Sequence, residues 1–331
     1  MRREFHGLRI EVDGDPAAVA GAAELLGALP VAAGPPDLEI RLRASPPQPR
    51  PPGARAFYHG VVDAFLDGAD VLVWDGASLA RARSGGRIVE VDVAPESLRD
   101  GHAFAHVFLL IAVVVALRWR SLFHVHAGAL VSPGGRGMLV AGGAGAGKST
   151  LTLALLEAGC DYLGDDAVFV RAPADPAVLA LPRAFHVAPR TATAFPRIAA
   201  TLGTLLPAGE KRRLDARVAW PGRERMTMPL PGVILLPTVE GGPATRVDPV
   251  SAAEALGALI ESSTYVVVGG LPGAMDHLEA LKEVADGARA FRVGLGEDLL
   301  ERPAETARRV LESTAPSTPD TFGVGRIQFN G

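Results

Sequence analysis

The sequence predicts an α/β fold for its larger part, and two observations carry that prediction. From Ser121 onward, short apolar runs of strand length alternate with longer stretches of helical period, the pattern of a sheet connected through helices. One of those runs, Met138-Leu139-Val140-Ala141, enters a glycine-rich loop that opens directly into an apolar helix. A third feature separates the first hundred residues, which read as short strands around a single alanine-rich helix, a smaller β-rich α+β unit.

The chain has 331 residues, more than one typical domain, so two compact units are expected. Apolar residues make up 48%, charged residues 21%, and mean hydropathy is +0.21, which excludes a chain disordered throughout and any collagen-like or coiled-coil fibre. A net charge of −4 gives no global attraction to phosphate backbones, so no nucleic-acid partner is expected. Cys160 is the sole cysteine and forms no internal disulfide. Met1-Arg2-Arg3-Glu4-Phe5-His6 lacks the apolar run that follows the charges of a secretion signal, so the expected location is cytoplasmic.

Residues 1–100 form the expected accessory N-terminal domain. Its elements are a strand over Phe5–Val12, a helix from Pro16 to Leu29, and strands at Leu38–Arg43, Val71–Trp74 and Ile88–Val93. Between them Ser45–Gly53 is proline-rich and reads as an extended loop. No catalytic constellation stands here, so substrate recognition or assembly is the expected role. Residues 101–120 are read as a buried linking helix. Its apolar stretch, Ala103–Trp119, contains His106 and is shorter than the roughly 20 residues a bilayer demands, so no membrane span is expected.

Over residues 121–314 the expected strands are Ala127–Val131, Gly137–Ala141, Ala167–Val170, Val233–Leu236, Tyr265–Val268 and Phe291–Val293. The expected helices are Ser149–Ala158, Thr191–Leu206, Ser251–Glu261, Ala274–Ala285 and Pro303–Glu312. The remaining stretch, 315–331, is rich in small residues and reads as a flexible tail.

Gly142-Gly143-Ala144-Gly145-Ala146-Gly147-Lys148-Ser149 fits the phosphate-loop pattern, and Thr150 continues the binding stretch. Glycines let the backbone turn its N–H groups toward phosphate oxygens, and the following helix presents its positive end to the same anion. Lys148 would reach the β/γ-phosphates of ATP or GTP, and Ser149 would hold Mg²⁺. Of 33 basic side chains only Lys148, Lys211 and Lys282 are lysines, so a lysine here marks a place where a compact ammonium is needed.

After that helix stands Asp165-Asp166. Beside a phosphate loop, one carboxylate can serve Mg²⁺ while the other accepts a proton from an incoming hydroxyl; a solvated turn is the plain alternative. His124 and His126 alternate and so share a face, with either a structural or a phosphate-side role and too few companions for zinc. Glu210–Arg225 is a charged run, either a solvated face or a clamp for transferred phosphate, and Lys211 within it is a catalytic candidate.

His126 with Gly128, the loop Gly142–Ser149, the helix end Ala158-Gly159 and Asp165-Asp166 resemble, in order and nearly in spacing, the HPr kinase/phosphorylase-like P-loop kinases. The resemblance is strong over residues 122–170, diffuse through about 314, and absent from the first hundred. It implies a fold related to phosphoenolpyruvate carboxykinase and a kinase acting on a serine of a protein or peptide. Carried over by position, Lys148 and Ser149 are nucleotide and Mg²⁺ ligands, Asp166 the base, Asp165 its support, and His126 a neighbour of the phosphates; the expected metal set is Ser149, Asp165 and Asp166. Family members acting on HPr carry a Leu-Glu-Ile-Arg-Gly stretch with a metal-binding glutamate; here that region reads Leu181-Pro182-Arg183-Ala184-Phe185-His186-Val187. The departure points away from HPr and from reverse phosphorolysis, toward the divergent branch associated with ribosomally made peptides such as lasso peptides. Related kinases often form oligomers. Two competing readings are a nucleotide-dependent switch or assembly ATPase with water as the only acceptor, and a membrane-associated regulator using Ala103–Trp119.

Overall fold

The structure is a computed structural model of the chain and describes residues 1–52, 55–59, 61–171, 175–199, 201–205, 211–263 and 271–316. The expected strand Tyr265–Val268, Glu210, and all but the first two residues of the expected tail lie outside the described residues.

The first eight strands are β1 (Arg2–Phe5), β2 (Leu8–Gly14), β3 (Leu38–Ala44), β4 (Arg55–His59), β5 (Asp63–Asp67), β6 (Asp70–Trp74), β7 (Leu79–Ala82) and β8 (Ile88–Val93). They form one mixed sheet in the order β1-β2-β3-β8-β7-β6-β5-β4. The expected single strand Phe5–Val12 is instead a hairpin turning at His6 and Gly7, whose φ angles of 49° and 88° suit a two-residue turn between twisted strands. Helix α1 (Pro16–Leu26) carries the chain from β2 to the parallel β3. Asp15 caps it by accepting from the N–H groups of Ala17 and Ala18, and the helix stops at Gly27 rather than Leu29.

Helix α2 (Gly101–Arg118) is long and apolar enough by composition to cross a membrane, yet 72% of it is buried within the protein. It contains a π-helical turn at Phe104–Leu109. Phe104, Phe108, Val115 and Leu117 share one apolar core with Val12, Ile40 and Val91 of the first sheet and with Phe169, Leu179 and Leu181 beyond it. Burial of this kind contributes about 25 cal/mol per Å² of apolar surface removed from water.

The rest of the chain supplies β9 (Leu122–Val125), β10 (Gly128–Val131), β11 (Gly137–Val140), helix α3 (Lys148–Glu157), β12 (Asp161–Gly164), β13 (Val168–Arg171), β14 (Ala177–Ala180), β15 (Phe185–Val187), β16 (Leu202–Leu205), β17 (Arg212–Leu214), β18 (Thr227–Pro229), β19 (Val233–Val239), β20 (Arg246–Val250) and β21 (Arg289–Leu295). The principal sheet runs β12-β10-β11-β19-β21-β20, with β11, β19 and β21 parallel at its centre. Two smaller sheets, β18-β14-β13-β9 and β15-β17-β16, adjoin it.

Alternation explains why the central strands are apolar throughout. Met138, Val140, Val233 and Leu235 pack on the side of α3 and the helix Pro303–Ser313, whereas Leu139, Ala141, Ile234 and Leu236 pack with the helices Ala252–Glu261 and Ala274–Gly287. A sheet covered on both faces has no polar side to write into its strands. The expected helix Thr191–Leu206 is not one element: two short helices, Pro189–Ala194 and Pro196–Ala199, precede β16. Pro196 supplies no N–H and pushes Phe195 out of helical geometry, to φ −119° and ψ 80°.

Candidate functional site

The glycine-rich loop lies at the carboxyl end of β11, beside the ends of β19 and β21, where open α/β sheets place their ligands. Gly147 ends the loop with φ 96°, and a Cβ there would sit 2.4 Å from Leu295 Cδ1. The positive φ favours glycine at that position, and any other residue would also have to push the Leu295 methyl aside. Gly147 also offers α3 no side-chain cap, so the first-turn N–H groups and the positive helix end meet the loop unmasked. Gly143, Ala144, Gly145 and Ala146 form the loop's outer turn, with Ala144 and Gly145 exposed.

Lys148 is buried, and its Nζ donates to the carbonyls of Gly142 at 2.8 Å and Gly143 at 3.1 Å. Burial lowers its pKa. Gly142 in turn donates its N–H to Ser262 Oγ at 3.0 Å. The hydroxyls of Thr150 and Thr191 are 2.9 Å apart. Alongside them is a cavity of about 130 Å³, lined by Gly147, Thr150, Thr191, Val239, Leu295 and Leu299.

The carboxylates reach the loop through topology rather than through sequence proximity. The chain crosses from β9 to β10 at His126-Ala127, and from β12 to β13 at Asp165-Asp166-Ala167. Because β9 pairs with β13 (Val125 opposite Val168) while β10 pairs with β12, the two crossings run side by side. His126 Nδ1 thereby comes 2.9 Å from Asp166 Oδ1 and donates to it. Asp165 turns inward, almost wholly buried, within electrostatic reach of Ser149, Arg183 and the backbone of His186.

The adjacent acids are driven apart electrostatically. Burial and the neighbouring Asp166 charge raise the Asp165 carboxyl above the usual carboxylate range, against the pull of Ser149, Arg183 and His186. Burial also pushes Asp166 up, but the hydrogen bond from His126 and the guanidinium of Arg183 outweigh it and hold Asp166 well below that range. Two carboxyls with opposite shifts divide into one that stays ionised and one that takes a proton or a cation.

His124 and His126 do not share a role or a face. The strand ends at Val125, so His126 leaves it for the crossing, whereas His124 stays inside β9, 6% exposed and edge-on to Phe169 at 5.6 Å. Burial lowers His124 to about 3. Lys211 is exposed at the start of β17, within electrostatic reach of Lys148 and His186. Much of the charged run around it has structural partners: Arg213 faces Glu24, Arg217 pairs with Asp215, and Arg225 with Asp161.

Sequence reasoning missed Arg183. Its Nη1 lies 3.7 Å from Asp166 Oδ2, and its side chain is 9% exposed. The residue sits in the segment between β14 and β15, the same stretch whose missing glutamate stood out in the sequence. The signal available was a lone arginine in a run whose only other polar side chain is His186.

No family model matches the chain, and no curated protein matches it. Among solved structures, the chain is similar to the HPr(Ser) kinase/phosphatase from Coxiella burnetii, with 15% identity over 57% of this chain and 96% of that chain, at a TM-score of 0.27. The likeness is distant.

Proposed function

We propose that the chain is a phosphotransferase that moves the γ-phosphoryl group of ATP to a serine hydroxyl of a protein or ribosomally made peptide, with Asp166 as general base. The observation that carries the reading is the 2.9 Å contact by which His126 holds Asp166, beside buried Asp165, with both carboxylates in electrostatic reach of Lys148 at the head of α3. It joins a helix N-terminus suited to phosphate with a carboxylate suited to a hydroxyl.

The phosphates lie in the loop Gly142–Ser149, where Lys148 exchanges the carbonyls of Gly142 and Gly143 for phosphate oxygens. The nucleoside extends over Thr150 into the neighbouring 130 Å³ cavity, whose Val239 and Leu295 offer apolar contact to a base. The acceptor oxygen attacks phosphorus as its proton passes to Asp166, and the bond to the bridging oxygen breaks, releasing ADP. His126 donates to Asp166 Oδ1 and orients the carboxylate.

Ser149 and Asp165 would hold Mg²⁺, which supplies charge neutralisation at the β/γ-phosphates when bound. Hydroxyl and carboxylate are hard oxygen donors suited to that ion, and Asp165 Oδ2 is buried without a hydrogen-bond partner among the described residues. Among the described residues no cluster of three His, Cys, Asp or Glu could hold a metal unaided. Mg²⁺ at such sites takes its remaining ligands from phosphates and water.

Incubation with γ-labelled ATP, Mg²⁺ and host lysate should label a polypeptide on serine, identifiable by mass spectrometry. Label recovered only as free phosphate would instead support the switch ATPase.

A further inference from the structure

A cavity of about 380 Å³ opens where distant parts of the chain meet. Glu24 comes from α1, His106 from the π-helical turn of α2, Tyr162 from β12, Arg213 from β17, and Arg183 from the segment that also faces Asp166. Three of these lining residues carry a buried polar atom with no hydrogen-bond partner among the described residues: His106 Nδ1, the Tyr162 hydroxyl and Arg183 Nε. Buried polar groups are nearly always paired. Three such residues give the cavity a polar wall.

The charges narrow its chemistry. Arg213 is 3.6 Å from Glu24, Arg217, also on the wall, pairs with Asp215 at 2.8 Å, and Glu224 is the third carboxylate of the wall, raised by burial toward its neutral form. Arg183 has no hydrogen bond among the described residues, and its 3.7 Å separation from Asp166 is too long for one. A guanidinium that is nine-tenths buried holds a planar fork of donors matched to a carboxylate or phosphate. Around it, the rings of His102, His106 and His186 cluster at centroid distances of 4.8 and 5.0 Å. Burial lowers His102 and His106, the latter to about 2, so Arg183 is the cationic group among these rings.

We infer that this cavity is the acceptor pocket, and that Arg183 grips an anionic group of the acceptor, carboxylate or phosphate, so that the hydroxyl beside it lies against Asp166. Asp166 acts on Lys148 of the loop on one side and stands 3.7 Å from Arg183 of the cavity wall on the other, placing the base between nucleotide and acceptor. The inference rests on the phosphotransferase reading for the word acceptor, while anion binding by the cavity does not. It also gives α1 and α2 a part in substrate choice.

The test titrates the full chain with N-acetyl-aspartate and, separately, O-phospho-N-acetylserine while the imidazole NMR signals of His102, His106 and His186 are followed. Saturable shifts are expected in the wild-type chain and in Lys148→Met, which separates the cavity from the phosphate loop. Arg183→Gln should weaken binding at least tenfold, and Arg183→Lys, which keeps the charge and loses the fork, several-fold. Tighter binding of one probe assigns the anion as carboxylate or phosphate. Absence of saturable shifts with both probes, shifts that vanish in Lys148→Met, or equal affinity in Arg183→Gln and Arg183→Lys would overturn the inference. Binding of a fluorescent ATP analogue is read in parallel and should change less than twofold in Arg183→Gln. Failure of the wild-type chain to bind that analogue would count against the phosphotransferase reading alone.

Discussion

Gly142 to Ser149 is one unbroken stretch between a strand and a helix, whereas His126, Asp165-Asp166 and Arg183 reach the same place from three separate segments joining one sheet to another. The loop's geometry is local: a substitution there acts through backbone conformation and the first turn of α3. The carboxylate side is non-local and depends on β9 pairing with β13 while β10 pairs with β12. Nucleotide binding and phosphoryl transfer should therefore be separable by mutation, the first failing with the loop and the second with the crossings.

The largest effect is expected at Gly147. Its φ of 96° strains a β-branched residue, and a side chain there must also displace the Leu295 methyl, so Gly147→Val should reduce nucleotide affinity more than a hundredfold and destabilise the fold by about 2–4 kcal/mol. Gly145, with φ 79° and open space around it, is the contrast: Gly145→Ala should cost only about 1 kcal/mol. Fluorescent-nucleotide titration and urea melts check both.

On the carboxylate side, Asp165→Ala removes the carboxylate proposed to hold Mg²⁺ with Ser149 and should lower Mg²⁺-dependent transfer by about 10²–10³-fold. Its nucleotide affinity without Mg²⁺ should stay close to wild type. Equal loss of both would mean that the two sides are one unit.

A smaller effect is expected from acid. His106, His124, His186 and His277 are lowered by burial to about 2, 3, 4 and 3 respectively. Below pH 6.5, the ordinary histidine value, the unfolded chain binds protons that these folded rings refuse, so stability falls as pH drops toward those lower values. Asp165 and Glu224, raised in the folded chain, act in the opposite sense, but they are two groups against these four rings and the also lowered His6 and His102. Urea midpoints should decline from pH 7 to pH 5, and His124→Phe, replacing a ring without hydrogen-bond partners among the described residues, should flatten that decline.

The smallest effect is expected at Lys211. It is exposed and acts on Lys148 only through the field, so Lys211→Ala should slow transfer less than tenfold and leave stability unchanged. A loss comparable to that of Asp165→Ala would return Lys211 to the reacting atoms.

What was legible in the sequence follows the same division. The strand, loop and helix around Lys148 were readable because their signals are contiguous: an apolar run, glycines, then an apolar helix ended by Gly159. The hairpin at His6-Gly7 was not, since histidine at positive φ is uncommon and no Asn-Gly or Asp-Gly marks the turn. The run Thr191–Leu206 misled because its composition suits a helix while Pro196 breaks it. Asp166 could be singled out only because a phosphate loop precedes it, and its contact with His126 depends on which strands pair. Arg183 carried no motif, and its proximity to Asp166 exists only once β14 and β15 have been assigned to different sheets.

The account's central claim is that Asp166 serves the acceptor and not the nucleotide. The direct measurement compares the wild-type chain with Asp166→Asn in two assays: binding of a fluorescent ATP analogue, and transfer of label from γ-labelled ATP to polypeptide in host lysate. The account predicts nucleotide affinity within twofold and transfer reduced at least a thousandfold. Transfer at the wild-type rate in Asp166→Asn, or a loss of nucleotide affinity as large as the loss of transfer, would contradict it.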